Sequence, residues 1–533
     1  MKKTILITLL VVTKLAFTQP TQQWAYSYNY SLNSCDIPSI MKMDNSGNIY
    51  LCGQTQHLSN PTTQPDLLTM KINRNGFFQW MRTYNGSGND QDIPRALCVD
   101  NSGNVYVAGS SVRPVRGWDG VLIKYNSAGV QQWIKIFDVP SVEYNQFNSM
   151  ALDQFGNIYI AGFSNGIIAF KYDPSGNQQW FVKLTDSLYR NAGASAIALD
   201  HDGNIYICGV NSTETQYKLI ILKYNNSGVR QWVQMFNWPL DELSMNQYML
   251  LDNAANVYAS ATAYNFGSWS RILTLKCNTN GSLLWSNSFG CDTAANYIYG
   301  MSLDNSGNVF VSGNWDNNAI ISQMSTAKYN TDGIELWRRT FNYGSGSWAT
   351  AQSQALDKYG NIYITGWANK PNQTSTTTTI KYSSSGAFQW DIQHIANESN
   401  WSFLVLPDSL NDVYIAGYKN NNATNADYLL IKYSQLTGIN TLSENIPKAF
   451  SLYQNFPNPF NPSTVIKFDL PEEGSVAIRI YDIAGKEVYS ETGYKKAGTF
   501  EFKFDGTNLA SGMYFYRIQS SSFSDTKKMV LIK

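Results

Sequence analysis

Residues able to do chemistry are few and scattered in this chain. Its 533 residues include three histidines, His57, His201 and His394. A catalytic triad needs an imidazole beside its nucleophile, and a zinc site needs several nitrogen or thiolate ligands converging on one point. The six cysteines, Cys35, Cys52, Cys98, Cys208, Cys277 and Cys291, have spacings that read as substitutions in a core, not as a disulfide framework, although export would permit disulfides. A recurring Asp-x-x-Gly-Asn turn is most calcium-like at Asp200-His201-Asp202-Gly203-Asn204. A calcium loop of the EF-hand type needs about six oxygen ligands and a distal acid; these turns are too short, and the Asp is expected to cap its own turn. The acid pairs Asp90 with Asp92 and Asp241 with Glu242 could in principle cleave a glycoside, but adjacent acids on a polar loop are usually just solvated. No catalytic constellation, metal site or cofactor is expected.

The aromatics are more informative. There are 15 tryptophans. Eight recur at one phase of a repeat: Trp24, Trp80, Trp133, Trp180, Trp232, Trp285, Trp337 and Trp390. The other seven are Trp118, Trp238, Trp269, Trp315, Trp348, Trp367 and Trp401. What they can do depends on the elements that carry them.

Those elements repeat. The pattern Asp-x-x-Gly-Asn-Ile-Tyr-x-x-Gly starts at Asp44, Asp100, Asp153, Asp200, Asp252, Asp304, Asp357 and Asp408, in steps of 47 to 56 residues. Lys-Tyr-x-x-x-Gly-x-x-Gln-Trp follows each of the first seven boxes. One unit divides into strand a (Ser149–Asp153), b (Asn157–Gly162), c (Ile167–Tyr172) and d (Gln179–Leu184), joined a–b and c–d by tight Asp, Asn, Ser and Gly turns of the hairpin kind. Gly supplies a left-handed turn position; Ala255 and Asn411 stand there in the fifth and eighth units, and Ala should cost roughly 1 kcal/mol. The b-strands are apolar on both faces, as radially stacked blades require. The eighth unit lacks a Trp strand, and the orphan Trp24 strand supplies it. This predicts that residues 22–29 pair beside Tyr428–Tyr433, closing a ring and covering both open edges. Eight blades are expected, with seven the alternative if two units merge.

On this frame His57 falls in a b–c loop, His201 in an a–b turn and His394 on a d-strand, so they do not converge. Cys52 and Cys208 fill the small strand slot held elsewhere by Ala108 and Ala161, Cys98 an apolar a-strand slot, and Cys277 the Tyr slot after Lys; Cys35 and Cys291 fall in d–a loops. All seven extra tryptophans lie in or beside b–c or d–a links, which share one face. Tyr264, Phe266 and Tyr418 join them there.

The repeat resembles the bacterial β-propeller repeat family usually described as seven-bladed, over roughly residues 22–434. That resemblance implies a secreted propeller and carries no catalytic residues to transfer. Residues 434–448 read as a polar linker. Beyond it come Tyr453-Gln454-Asn455-Phe456-Pro457-Asn458-Pro459-Phe460-Asn461-Pro462, Ile480-Tyr481-Asp482-Ile483-Ala484-Gly485-Lys486, Leu509-Ala510-Ser511-Gly512-Met513-Tyr514 and a Lys527–Lys533 tail. Alternating strands and turns over 449–533 suggest a small immunoglobulin-like β-sandwich. The stretch resembles the C-terminal sorting domain of type IX secretion substrates, which implies passage through the outer membrane by that machinery.

The expected fold is therefore all-β, a propeller over 19–433 and then a small sandwich. Residues 1–18, a basic start, an apolar run from Ile5 to Val12 and Ala16-Phe17-Thr18, have the pattern of a signal peptide, and no later run is long enough to span a membrane. Lys plus Arg equals Asp plus Glu at 39 each, which gives no electrostatic reason to expect nucleic acid. A monomer, secreted or on the outer cell surface via the periplasm, is expected. Variable loops on a rigid scaffold are where binding sites usually sit, and Trp among amides and carboxylates suits carbohydrate. The ligand-binding expectation falls on Trp118, Trp269, Trp315, Trp348, Trp367 and Trp401, with an extracellular polysaccharide or protein as ligand. Surface adhesion or scaffolding is the alternative, and a polysaccharide-degrading enzyme a lesser one.

Overall fold

A computed structural model describes residues 20–533 except 30–33, 58–63, 114–116, 140–143, 185, 187–188, 190–191, 213–216, 237–241, 266–268, 291–295, 318–320, 372–375, 395–399, 422–424, 436–438, 444–446, 496, 507–508 and 521. The proposed signal segment lies outside the described residues. The strands form ten four-stranded sheets, in two compact units that divide between Tyr433 and Ser434.

Eight sheets make the first unit, a β-propeller of eight blades rather than seven. Blade 3 consists of Gln146–Leu152, Ile158–Phe163, Ile167–Tyr172 and Gln178–Lys183, within three residues of the strand ends expected from the repeat. Each a-strand touches the a-strands of its neighbours, and that of blade 8 (Asn400–Pro407) touches that of blade 1 (Ser34–Met43), so the a-strands form a closed inner ring. The b-strands are buried on both faces; Ile158, Tyr159, Ile160 and Ala161 have no solvent exposure.

The repeated side chains hold turns and neighbouring blades together. At the first box, Asp44 Oδ1 accepts the N–H groups of Ser46 and Asn48, both at 2.9 Å. Its Oδ2 accepts the Asn48 amide at 2.8 Å and the Tyr50 hydroxyl at 2.9 Å. Both oxygens are thus engaged within the turn, which is the capping role expected of the box. The left-handed position is real in the two units that lack Gly: φ is 58° at Ala255 and 64° at Asn411. The repeat Lys lies over the box Tyr ring, as with Lys71 on Tyr50 at 5.2 Å. The repeat Trp reaches the next blade. Trp80 packs on Gly129 in the c–d turn of blade 2 and donates its indole N–H to Ser127 C=O at 3.0 Å. Trp180, Trp232, Trp285 and Trp337 make the same bond onward around the ring.

Blade 8 is completed by the N-terminal strand. Thr21–Tyr28 lies beside Asn425–Ser434, and Trp24 packs on Gly76 of blade 1 as every other d-strand Trp with a following c–d turn does. Asp412 replaces the box Asn here and has no amide to offer Asp408. Arg74 of blade 1 bonds Asp408 Oδ2 instead, at 3.0 Å, and Lys432 pairs with Asp412 at 2.9 Å.

The second unit is two four-stranded sheets around one core that includes Ile466, Phe468, Ile478, Phe502, Tyr516 and Leu531. The stretch read as linker is not all linker. It contributes a strand, Ile439–Ser443, that pairs with Gly498–Asp505. The Pro-rich motif is pinned by its polar residues. Asn455 N–H donates to the Tyr516 hydroxyl at 2.8 Å, its amide to Thr464 Oγ1 at 2.9 Å, and Val530 N–H to Asn458 Oδ1 at 2.9 Å. Phe460 enters the core while Phe456 is 81% exposed.

Candidate functional site

The b–c and d–a links gather at one end of the propeller and carry the non-repeat tryptophans. Trp118 opens a c-strand, Trp315 and Trp367 sit near the ends of b-strands, Trp348 precedes an a-strand and Trp401 is near the start of one. All five are half-buried, none broadly exposed. Trp238 and the Trp269 side chain lie outside what the structure describes.

Among the described residues, Trp118, Trp315 and Trp348 make no ring contact with another of these tryptophans. Trp315 lies under the guanidinium of Arg338, 5.9 Å from its ring centre. The loop at Trp118 is fixed by Arg113, which pairs with Asp119 at 2.7 Å and Asp138 at 3.0 Å and donates to Trp118 C=O. The Trp348 backbone is tied to Asn369 in both directions.

Trp367 and Trp401 do come together. Their rings are perpendicular with centroids 4.3 Å apart, across blades 7 and 8. Phe403 lies 6.1 Å from Trp367, and Tyr418 stacks on Trp401 at 6.3 Å. Edge and offset contacts of this kind are the favourable ones for aromatic rings. The indole N–H groups of Trp367 and Trp401 have no acceptor within the described fold. Both N–H groups are buried, and an amide-like donor left without a partner costs about 1–3 kcal/mol, a cost that the ring packing of the cluster must offset.

Phe403 also links this cluster to the centre of the ring. A cavity of about 720 Å³ lies among the a–b turns of blades 3 to 5 and is polar, walled by capped Asp turns. A second, of 500 Å³, is lined by a-strand residues of blades 1, 5, 6, 7 and 8, among them Ser39, Tyr248, Tyr299, Gln352 and Phe403. Only the space inside the ring of a-strands can touch all five blades, so this cavity is the central channel. Each a-strand carries a β-bulge. In seven blades the unpaired residue is Ser39, Arg95, Asn148, Ser195, Tyr299, Gln352 or Phe403, and a bulge re-aims its side chain.

These bulged residues escape a reading that looks only for extra tryptophans. Their signal is positional. Each stands five residues before a box Asp, in a column that is polar or aromatic.

The other candidates disperse. Asp92 is fully buried; burial, with Asp66 and Asp90 nearby, pushes its carboxyl up to about 6. It accepts Gly86 N–H at 2.9 Å, so it does not face Asp90 across a cleft. Asp241 and the Glu242 side chain are not described. His394 Nδ1 lies 3.2 Å from the Tyr433 hydroxyl, and burial, then Lys419, lower its pKa. His57 is the last residue of a b-strand rather than a loop residue, and Cys35 lies in an a-strand rather than a d–a loop. Five cysteines carry free thiols, and Cys291 lies outside the described residues. Burial pushes Cys52, Cys208 and Cys277 up to about 12, which removes thiolate reactivity at neutral pH. Among the described residues no three His, Cys, Asp or Glu side chains converge as metal ligands.

Residues 454–533 match the model of the secretion system C-terminal sorting domain, and 79–111 match that of the β-propeller repeat. The chain is a secreted-type propeller protein with a sorting tail. That tail marks it for the type IX machinery and for the outer cell surface or the extracellular space, by way of the periplasm. No helix among the described residues is long and apolar enough to cross a membrane. No curated protein matches the sequence. Among solved structures, a Bacteroides caccae protein of unknown function is 15% identical, covering 54% of this chain and 93% of its own, with a TM-score of 0.32. The polysaccharide lyase Uly1 is 11% identical over 64% and 89%, TM-score 0.40. The Pseudomonas aeruginosa periplasmic gluconolactonase is 10% identical over 67% and 99%, TM-score 0.39. Likeness at this level carries no conclusion about chemistry.

Proposed function

We propose that this chain is a secreted or surface-held binding protein that takes up an extracellular polysaccharide at the link face of blades 7 and 8. The reading rests on one observation: Trp367 and Trp401 pack at 4.3 Å in an aromatic cluster with Tyr418 and Phe403, and Phe403 stands in the wall of the channel. Aromatic faces receive the C–H faces of sugars. The six-tryptophan surface expected from sequence thereby narrows to this pair and its neighbours. No described constellation of base, nucleophile and acid accompanies it, so we infer binding rather than turnover.

The test is an array of polysaccharides probed with the full chain and with Trp367→Ala and Trp401→Ala. Each substitution should weaken binding about tenfold, the order of one stacking contact. Binding that survives both rejects this site. Hydrolysis or elimination products from the same panel would replace binding with catalysis. Saturable capture of a purified surface protein, with every saccharide failing, would favour adhesion.

A further inference from the structure

The innermost strands carry a cation that the fold leaves unpaired among the described residues. Arg95 is the bulged residue of blade 2, on the innermost strand, next round the ring from Ser39 in the channel wall. Its side chain is exposed, and it forms no hydrogen bond or ion pair with any described residue. Lys42, on the innermost strand of blade 1, is likewise exposed and is in no ion pair with a described carboxylate; its charge acts on the Cys98 thiol of blade 2. The carboxylates on these two strands, Asp36 and Asp92, have no solvent exposure and present nothing to the channel. Surrounding protein lowers the Arg95 pKa by desolvation, with no neighbouring charge acting on it. Two other partly buried cations are paired, Arg74 with Asp408 and Arg113 with Asp119.

We propose that the channel binds an acidic saccharide, with Arg95 as counter-ion to its carboxylate or sulfate and Lys42 as a second, weaker attraction. The proposal rests on the saccharide reading above and deepens it. A guanidinium matches a carboxylate or sulfate with two parallel N–H bonds. Tyr299 and Phe403 offer ring faces in the same wall, and Gln352 an amide. Phe403 belongs both to the aromatic cluster and to the channel, so a chain held at Trp367 and Trp401 has a continuous path inward to the charge.

Calorimetric titration of the full chain separates the two readings. The probes are a defined oligogalacturonate, its fully methyl-esterified form, a sulfated oligosaccharide and poly-glutamate. The oligogalacturonate or the sulfated probe should bind, more weakly as salt rises, and the ester at least about tenfold less tightly. Arg95→Gln should cost about tenfold for the charged probe and leave the ester unchanged. Its melting temperature should not fall, because no bond within the fold is lost. Equal binding of charged and esterified probes, or indifference to Arg95→Gln, overturns the channel proposal while Trp401→Ala still tests the aromatic site. Charged binding lost in Arg95→Gln but untouched by Trp401→Ala overturns the aromatic site and keeps the channel. Poly-glutamate binding with every saccharide failing overturns the saccharide class, and no binding by any probe overturns both readings.

Discussion

At the residue scale, position on the repeat decides what a side chain can do. Asp44 and Asp92 are both carboxylates, yet at the first burial is outweighed by hydrogen bonds from the Asn48 amide, the turn N–H groups and the Tyr50 hydroxyl, which lower it, while burial raises the second to about 6. The folded Asp92 carboxyl binds its proton more tightly than an unfolded one near 3.9. The stability it contributes is therefore full below about pH 4 and is lost as pH rises through 6. Asp92→Asn keeps an oxygen for the Gly86 N–H and removes the charge. It should be more stable than the parent at pH 7, with the difference shrinking to nothing below pH 4 in paired urea titrations. A constant difference across that range would show that Asp92 does not titrate in this way. The box aspartates are readable from sequence because the turn N–H groups they accept lie two and four residues on, as at Asp44 with Ser46 and Asn48. The burial of Asp92 was not, since blade 2 alone does not reveal what packs over its loop end.

At the element scale, the blade was legible and its bulge was not. Turn residues and the two-sided apolar b-strand fix the hairpins, and the strand ends follow within a few residues. The bulge requires comparing a-strand and b-strand lengths across the pairing, which periodicity within one strand does not show. The bulged residues Tyr299 and Phe403 line the channel, and Arg95 holds the same place on blade 2. The extra tryptophans illustrate the same limit. Sequence places them at one end of the ring, but only packing shows that Arg338 covers Trp315 while Trp367 meets Trp401. The c–d turn tests the contact between blades. Gly129 has φ of 77°, and a Cβ there would stand 2.5 Å from the Trp80 ring. Gly344 has φ of 98° with nothing within 4 Å. Gly129→Ala should cost about 2–4 kcal/mol, backbone strain plus overpacking, and Gly344→Ala about 1 kcal/mol. Similar losses for the two in denaturant unfolding would remove the contact term.

At the scale of the whole propeller, the ring stands or falls on its closing blade. Seven blades are built from consecutive strands, but blade 8 borrows Thr21–Tyr28 from the other end of the chain. Pairing across that separation closes a very long loop, whose entropic cost grows only slowly with length, and it covers an edge that would otherwise template aggregation. The closing contacts are specific: Trp24 on Gly76, Trp24 edge-on to Tyr414 at 5.9 Å, Tyr28 stacked on Phe78 at 6.3 Å, and Arg74 with Asp408. If the clasp is an integral part of the fold, its Trp should matter as much as one from an ordinary blade. Trp180 is the comparison, since it makes the same turn contact with Gly228 and is also half-buried. Trp24→Ala and Trp180→Ala should each cost about 2–4 kcal/mol, with denaturation midpoints close to one another. A Trp24→Ala midpoint indistinguishable from the parent, with Trp180→Ala clearly lowered, would mean that the N-terminal strand merely rests on an open array. In that case the a-strands would have no fixed circumference, and the channel built from them would lose the geometry on which Arg95 and Phe403 depend.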